Sequence, residues 1–382
     1  MNMRLSIPAS AFVAAIVGFG GTLALIIAAA NSLGATQEQT ASWVTAICLA
    51  MAVETGWLSW RTRMPVITAW STPGAALIAA TSGFSMEEAV GAFLVTALLL
   101  VATGLVRPLT QLIARIPASV ASGMLAGIVV TFVIGAFRAI PADPLLILPL
   151  IALFFVARLF NPALSVLAVL IAGGIAAVAL GRVGSLPAPE LSTLSLTVPH
   201  FTVAGVIGLA IPLYLVTMAS QNLSGLAVLK AAGYEPDAGP LIAGTGFVSL
   251  LTAPFNAHTT NLAAISAAIC TGPDTHPDPE KRWLTGPFYA LAYLVFAIFG
   301  ASLVAIFAVL PPSLIALVAG LALMAPLANA LSISLAAEAD RTAAVTAFAV
   351  TASGLTLFGI GGAFWGLVAG ILVTGLDRIK RK

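Results

Sequence analysis

Leu251-Thr252-Ala253-Pro254-Phe255-Asn256-Ala257-His258-Thr259-Thr260-Asn261-Leu262-Ala263-Ala264-Ile265-Ser266-Ala267-Ala268 decides how the rest of the chain is read. Its first half reads as extended backbone and its second half as a helix. The switch falls at a polar cluster, Asn256, His258, Thr259, Thr260 and Asn261. Apolar sequence flanks the cluster on both sides. Polar backbone at membrane depth is tolerated only where protein buries it or a cavity adjoins it. A helix that starts there turns its free N–H groups and positive dipole end toward that cavity, which holds an anion without a buried Lys or Arg.

The stretch has a partner. Setting Ala69-Trp70-Ser71-Thr72-Pro73-Gly74-Ala75-Ala76-Leu77-Ile78-Ala79-Ala80 against Ala257 to Ala268 matches Thr72 with Thr260 and Ser71 with Thr259. The matched alanines carry little weight. The shared order carries more: a proline (Pro65 or Pro254), a few extended residues, a hydroxyl pair, then a small-residue helix. Paired interrupted helices in two halves of a chain are the best sequence pointer to a transporter binding site. Two ordinary spanning helices with proline kinks are the plainer alternative.

The surrounding composition supplies the membrane. Of 382 residues, 60% are hydrophobic and only 8% charged, at a mean hydropathy of +1.08. A soluble domain carries roughly 25% charged residues. The chain therefore reads as an all-α polytopic membrane protein. The apolar run from Ala11 to Ala30 exceeds the core of a secretory signal and reads as a retained first span. Cys48 and Cys270 lie far apart in apolar segments, which supports neither a disulfide framework nor a metal site.

Cutting at charges, prolines and glycine-rich turns gives about fourteen transmembrane segments, several shorter than a full span. With the N-terminus in the cytoplasm, Arg4, Arg61, Arg63, Arg107, Arg115, Arg158, Lys230, Lys281, Arg282, Arg341 and the tail Arg378 to Lys382 fall inside. Only Arg138 and Arg182 fall outside. That bias predicts cytoplasmic N- and C-termini. An even split gives a 7+7 inverted repeat, joined by a proline-rich outer connection from Arg182 to Phe201.

Few polar groups inside the spans could carry chemistry. Glu54 is the clearest ionisable one; it is either a functional intramembrane carboxylate or an interfacial partner of Arg61 or Arg63. His258 either carries a proton or braces the broken helix as a neutral residue. Gln221 and Asn222 sit mid-span beside Tyr214 and face protein or a cavity rather than lipid. Gly18, Gly20 and Gly21 permit close helix approach, with Phe12 and Phe19 beside them. No Walker A, HExxH, G-x-S-x-G, arginine-rich voltage sensor or Gly-Tyr-Gly filter occurs, so an ATP-driven pump, an intramembrane hydrolase and a gated cation channel have no support.

On Pro65-Val-Ile-Thr-Ala-Trp-Ser-Thr-Pro-Gly-Ala-Ala and Pro254-Phe-Asn-Ala-His-Thr-Thr-Asn-Leu-Ala-Ala-Ile-Ser-Ala-Ala-Ile-Cys-Thr-Gly the chain resembles the bacterial benzoate membrane transporters, the BenE-type benzoate:proton symporters. The resemblance runs over essentially the whole chain. It implies secondary active import of benzoate or a similar aromatic carboxylate with protons across the inner membrane. That family in turn resembles the nucleobase permeases and sulfate-type anion transporters. This implies that spans 3 and 10 are each a short strand plus a half-helix. It also implies a core domain (10–107 and 202–310) moving against a gate domain (116–181 and 311–378). Where the nucleobase permeases carry carboxylates, this chain aligns Gln221 and Thr260, which suits an anionic ligand.

The expected site follows. Ser71, Thr72, Thr259, Thr260 and Asn261 donate hydrogen bonds to the carboxylate. Gln221, Asn222 and Asn256 complete the polar side, and Phe19, Trp70, Tyr214 or Phe255 faces the ring. His258 is the first choice for the proton and Glu54 the second; in a third arrangement the substrate brings its own. No enzyme activity, cofactor, metal or nucleic acid is expected, and a homodimer is admitted without being required. An anion channel or uniporter, or a carrier of another small organic anion or a nucleobase, stays open on the same architecture.

Overall fold

The computed structural model describes residues 5–106 and 117–380. Arg4, Arg107, Arg115, Arg381 and Lys382, used above for orientation, lie outside them, as do the expected domain limits at 107 and 116. The described chain is mostly helical. Its first half holds α1 (Ser6–Gly20), α2 (Leu23–Ser32), α3 (Gln37–Thr62), strand β1 (Thr68–Trp70), α4 (Thr72–Ala79), α5 (Met86–Leu105), α6 (Ala118–Arg138), α7 (Pro144–Phe160) and α8 (Ser165–Ala179). The second half holds α9 (Val203–Ala231), α10 (Ala238–Thr252), strand β2 (Thr260–Leu262), α11 (Ile265–Thr271), α12 (Thr285–Ile298), α13 (Gly300–Val309), α14 (Pro312–Ala322), α15 (Met324–Ala336), α16 (Arg341–Ala352) and α17 (Gly362–Lys380).

Among the described residues, seven helices are long and apolar enough to cross a membrane. The count is eight if Pro279–Ile298 and Gly300–Val309, bent by 61°, form one span. α7, α8 and most of α17 are shorter apolar helices. Trp57 and Trp60 are half-exposed near Arg61 at the end of α3, and the Arg63 guanidinium lies 4.3 Å from the Trp283 ring centre. Aromatic and basic residues gathered in this way mark a membrane interface.

Local chemistry sets the helix limits. α3 and α5 open with capping boxes, Thr36 with Gln39 and Ser85 with Glu88, each satisfying two otherwise unpaired N–H groups. Arg63 adopts a left-handed conformation at the end of α3, and Pro65 then forces extended backbone into β1. Asn256, at φ 75°, performs the same turn after α10.

β1 and β2 pair antiparallel across the centre of the chain, with Thr68 opposite Leu262, Ala69 opposite Asn261 and Trp70 opposite Thr260. Ser71 N donates to Thr259 O and Ala263 N to Ile67 O, each 2.9–3.0 Å, which extends the ladder at both ends. Because the strands run in opposite directions, α4 and α11 leave from opposite ends of this ribbon. The polar cluster is therefore strand and its lead-in; the helix begins only at Ile265. Adjacent β-branched threonines favour the pleated conformation, and their hydroxyls find partners on neighbouring helices. By strand position Thr260 corresponds to Thr68, not to Thr72 as the alanine matches suggest.

Packing divides into two sets. α3 lies along α12, α5 along α10, α1 against α11 and α12, and α2 against α4. Separately, α6 packs on α14, α15 and α16, and α16 on α17. Glycines allow the closest of these approaches. A Cβ on Gly123 of α6 would stand 2.3 Å from Ala344 O of α16, and one on Gly286 of α12 would stand 2.3 Å from Ser59 Cβ of α3.

Candidate functional site

The ribbon presents two faces, since successive side chains alternate. Thr68, Trp70, Thr260 and Leu262 share one of them. Thr68 Oγ1 and Thr55 Oγ1 are 2.8 Å apart, and Thr55 Oγ1 accepts from Thr68 N at 3.0 Å. Thr260 Oγ1 donates to Glu54 Oε1 at 2.5 Å and lies 2.9 Å from Ser249 Oγ, which accepts from Thr260 N at 3.0 Å. One consistent donor order runs from Thr260 N–H to Ser249, back to the Thr260 hydroxyl and on to the Glu54 carboxyl. Glu54 is buried, and its Oε2 has no hydrogen-bond partner. It makes no ion pair among the described residues, and Arg63 is engaged with Trp283 instead.

His258 has both ring nitrogens committed. Trp43 Nε1–H donates to Nδ1 at 3.0 Å, which requires that nitrogen to be bare. Nε2 is 3.1 Å from Ser71 O, which can only accept, so Nε2 carries the hydrogen. The imidazole is thereby held as a neutral brace between α3 and the start of α4, edge-on to Trp43 and Phe93.

Thr259 and Ser71 meet at Thr217 in α9. Thr217 Oγ1 donates to Ser71 Oγ at 2.9 Å and lies 3.3 Å from Thr259 Oγ1. Ser71 caps α4 by accepting from Gly74 N at 3.2 Å, and its carbonyl takes the Ala75 N–H. Pro73 has no N–H. The first turn of α4 therefore leaves Thr72, which is partly exposed, as the residue able to offer main-chain N–H and hydroxyl to a ligand.

α9 approaches β2 through a π-helical turn, Thr217–Asn222. Such turns mark functional sites often enough to be informative. Asn222 Oδ1 accepts from Leu262 N at 3.0 Å, which ties α9 to the ribbon, while Gln221 is partly exposed. Gly225 lets the helix close down: a Cβ there would stand 2.6 Å from Leu262 Cβ.

An aromatic group closes the other end. Phe19 packs edge-on to Trp70 at 5.6 Å and against Phe296 at 4.4 Å; Tyr293 lies within 6.5 Å of Phe19 and 6.4 Å of Trp70. Trp70 Nε1 donates to Thr22 Oγ1 at the break between α1 and α2. Tyr289 OH donates to Thr68 O at 3.1 Å, whereas the buried Tyr293 OH has no partner.

The structure thus brings together Phe19, Trp70, Ser71, Thr72, Asn222, His258, Thr259, Thr260 and Asn261, with Glu54 directly behind them. Three expected residues lie elsewhere. Tyr214 bonds through its hydroxyl to Thr103 on α5. Asn256 donates to Ser195 O, and the neighbouring Phe255 carbonyl accepts from Ser42, so both belong to the seam with the 182–201 connection. Trp43, Thr217, Ser249, Tyr289 and Tyr293 were not foreseen as site residues. Tyrosines four apart on one helix were a usable signal; the distant Trp43 left none.

The profile described as benzoate membrane transport protein matches residues 2–376. The chain belongs to that family. It is 42% identical over 363 residues to the inner membrane protein YdcO of Escherichia coli (strain K12), covering 94% of this chain and 92% of that one. It is 34% identical over 373 residues to the benzoate membrane transport protein of Acinetobacter baylyi, covering 97% and 95%. Among solved structures, the transmembrane domain of the cyanobacterial bicarbonate transporter BicA is similar at a TM-score of 0.60 and 17% identity, covering 98% of this chain and 96% of that domain. SLC26A9 is similar at 0.65 and 11%, covering 98% and 65%. These last two show the fold. The chain is a multi-pass inner-membrane transporter and not an enzyme.

Proposed function

We propose that this transporter imports benzoate or a similar aromatic carboxylate together with protons, by alternating access of a core domain against a gate domain. The observation that carries the reading is the central ribbon from which α4 and α11 depart in opposite directions, walled by aromatic rings and free of basic residues. Discontinuous helices of this kind hold substrate near the bilayer midplane in transporters built from inverted repeats. The relative from Acinetobacter baylyi carries benzoate in its name.

Counting β1–α4 and β2–α11 as broken spans, and the shorter helices as full segments, gives about fourteen segments in two halves. The two packing sets support the division into 10–107 with 202–310 and 116–181 with 311–378. The cytoplasmic bias of Lys and Arg supports both termini inside. In this scheme Thr72 receives the carboxylate and Phe19 and Trp70 face the ring. Glu54 carries the coupled proton, because His258 has no free nitrogen and Glu54 has a bare oxygen with no companion cation. Charging a buried carboxyl without a cation costs several kcal/mol, so in this scheme loss of the proton requires a movement that opens Glu54 to water.

The test is uptake of labelled benzoate into proteoliposomes with and without an inward proton gradient, against protein-free liposomes. Concentrative uptake that a protonophore collapses, and that Thr72→Ala reduces at equal incorporation, supports the reading. Uptake no greater than in protein-free liposomes sinks it.

A further inference from the structure

Asn261 was expected to donate, and its geometry makes it an acceptor. Its Nδ2 donates to Leu262 O at 2.9 Å. Turning the amide over would set two oxygens against each other, so the bond fixes which atom is which. Oδ1 is left with no hydrogen-bond partner although the residue is 0% exposed. A buried acceptor without a donor is costly, and such groups in native proteins call for a reason.

The ribbon register supplies the surroundings. Asn261 and its cross-strand partner Ala69 are alone on the face away from Thr260 and Glu54. Ala69 is the one ribbon residue that is not buried, and its methyl leaves room beside the amide. β2 packs on the π-helical turn of α9, whose Ser220 and Gln221 are also partly exposed. The bare oxygen therefore lies, itself buried, on the Ala69 face of the ribbon, opposite the face that carries Trp70 and beside the α9 turn that holds the partly exposed Ser220 and Gln221.

We propose that Asn261 Oδ1 accepts a hydrogen bond from the substrate, so that the preferred substrates are aromatic acids presenting an O–H or N–H donor in addition to, or as part of, the carboxyl group. This rests on the transport function proposed above. A fully ionised, unsubstituted benzoate offers only acceptors. It leaves Oδ1 unpaired, and a buried polar group left unpaired discriminates far more strongly than a change of apolar shape. The donor is either a ring hydroxyl or amine, or the undissociated acid's own O–H.

The experiment is competition against labelled benzoate uptake in proteoliposomes, using unlabelled benzoate, 4-hydroxybenzoate, 3-hydroxybenzoate and the correspondingly substituted methoxybenzoates, from pH 5 to pH 7. A ring donor predicts that a hydroxybenzoate competes about tenfold or more better than its methoxy counterpart at every pH. The acid's own proton predicts that all compete alike, with the half-inhibiting total concentration rising about tenfold per pH unit above the acid's pKa of ~4. In either case Asn261→Leu removes the signature: the hydroxy-to-methoxy ratio falls to about one, or the steep pH dependence flattens. Ratios within one variant are unaffected by poor folding, and the wild-type preference is read without any variant. Equal, pH-independent competition in the wild type overturns the inference, as does a signature that survives Asn261→Leu. Failure of benzoate uptake itself would instead strike the transport reading.

Discussion

Thr260 and His258 sit two residues apart and have opposite tasks. Thr260 ties the ribbon to the one bare carboxyl in the crossing, while His258 ties it to an indole and a carbonyl that never titrate. Replacing Glu54 with Gln keeps shape and hydrogen-bonding capacity but removes the proton site. Expected in Glu54→Gln is retained exchange of internal for external benzoate with loss of proton-driven accumulation. Counterflow and gradient-driven uptake measured on one preparation check it, and full accumulation would exclude Glu54 as the carrier. His258→Ala leaves Trp43 Nε1–H without a partner, while Ser71 O keeps the Ala75 N–H. A loss of about 1–3 kcal/mol is expected, seen as a lower unfolding temperature, with the pH profile of residual uptake unchanged. At this scale the sequence exposed the polar residues but not their partners. Glu54, His258 and Thr260 are conspicuous among apolar neighbours. That Trp43, 215 positions away from His258, fixes the histidine's tautomer is a property of packing alone.

The ribbon and its half-helices depend on small residues as much as on polar ones. Gly225 sits in α9 where a Cβ would meet Leu262 Cβ at 2.6 Å and Ala263 O at 3.0 Å. Alanine in a helix interior is ordinarily favoured over glycine by about 1 kcal/mol. Here the contact with strand backbone should outweigh that gain. Gly225→Ala is expected to lower both thermal stability and uptake. Gly135→Ala in α6, with nothing within 4 Å of the added carbon, should raise stability by up to about 1 kcal/mol. Thermal unfolding of both variants in the same detergent checks the pair, and equal behaviour would show that the ribbon tolerates displacement. The sequence indicated that both broken elements exist, through Pro65, Pro254 and the hydroxyl pairs. It misplaced the start of the second helix, because alanine matches slide freely whereas cross-strand pairing admits one register.

At the scale of the molecule, composition alone established a polytopic membrane protein, and the order of interrupted segments pointed to the transporter fold. The proposed movement of one packing set against the other leaves no mark in composition. It can be tested where they meet. Gly208, near the start of α9, would place a Cβ 3.5 Å from Ile360 Cα, just before α17. That spacing is within reach of a disulfide's Cα separation of about 4.4–6.8 Å. Cys48 and Cys270 are both buried and do not compete for oxidation. In Gly208→Cys combined with Ile360→Cys, an oxidised pair joins the proposed core to the proposed gate. If transport requires one to slide past the other, oxidation abolishes uptake and a reductant restores it, while each single-cysteine variant is indifferent to both treatments. Uptake that continues through a fully formed cross-link, verified by a gel shift after cleavage between the two positions, would mean that these elements move as one body and that the moving boundary runs elsewhere.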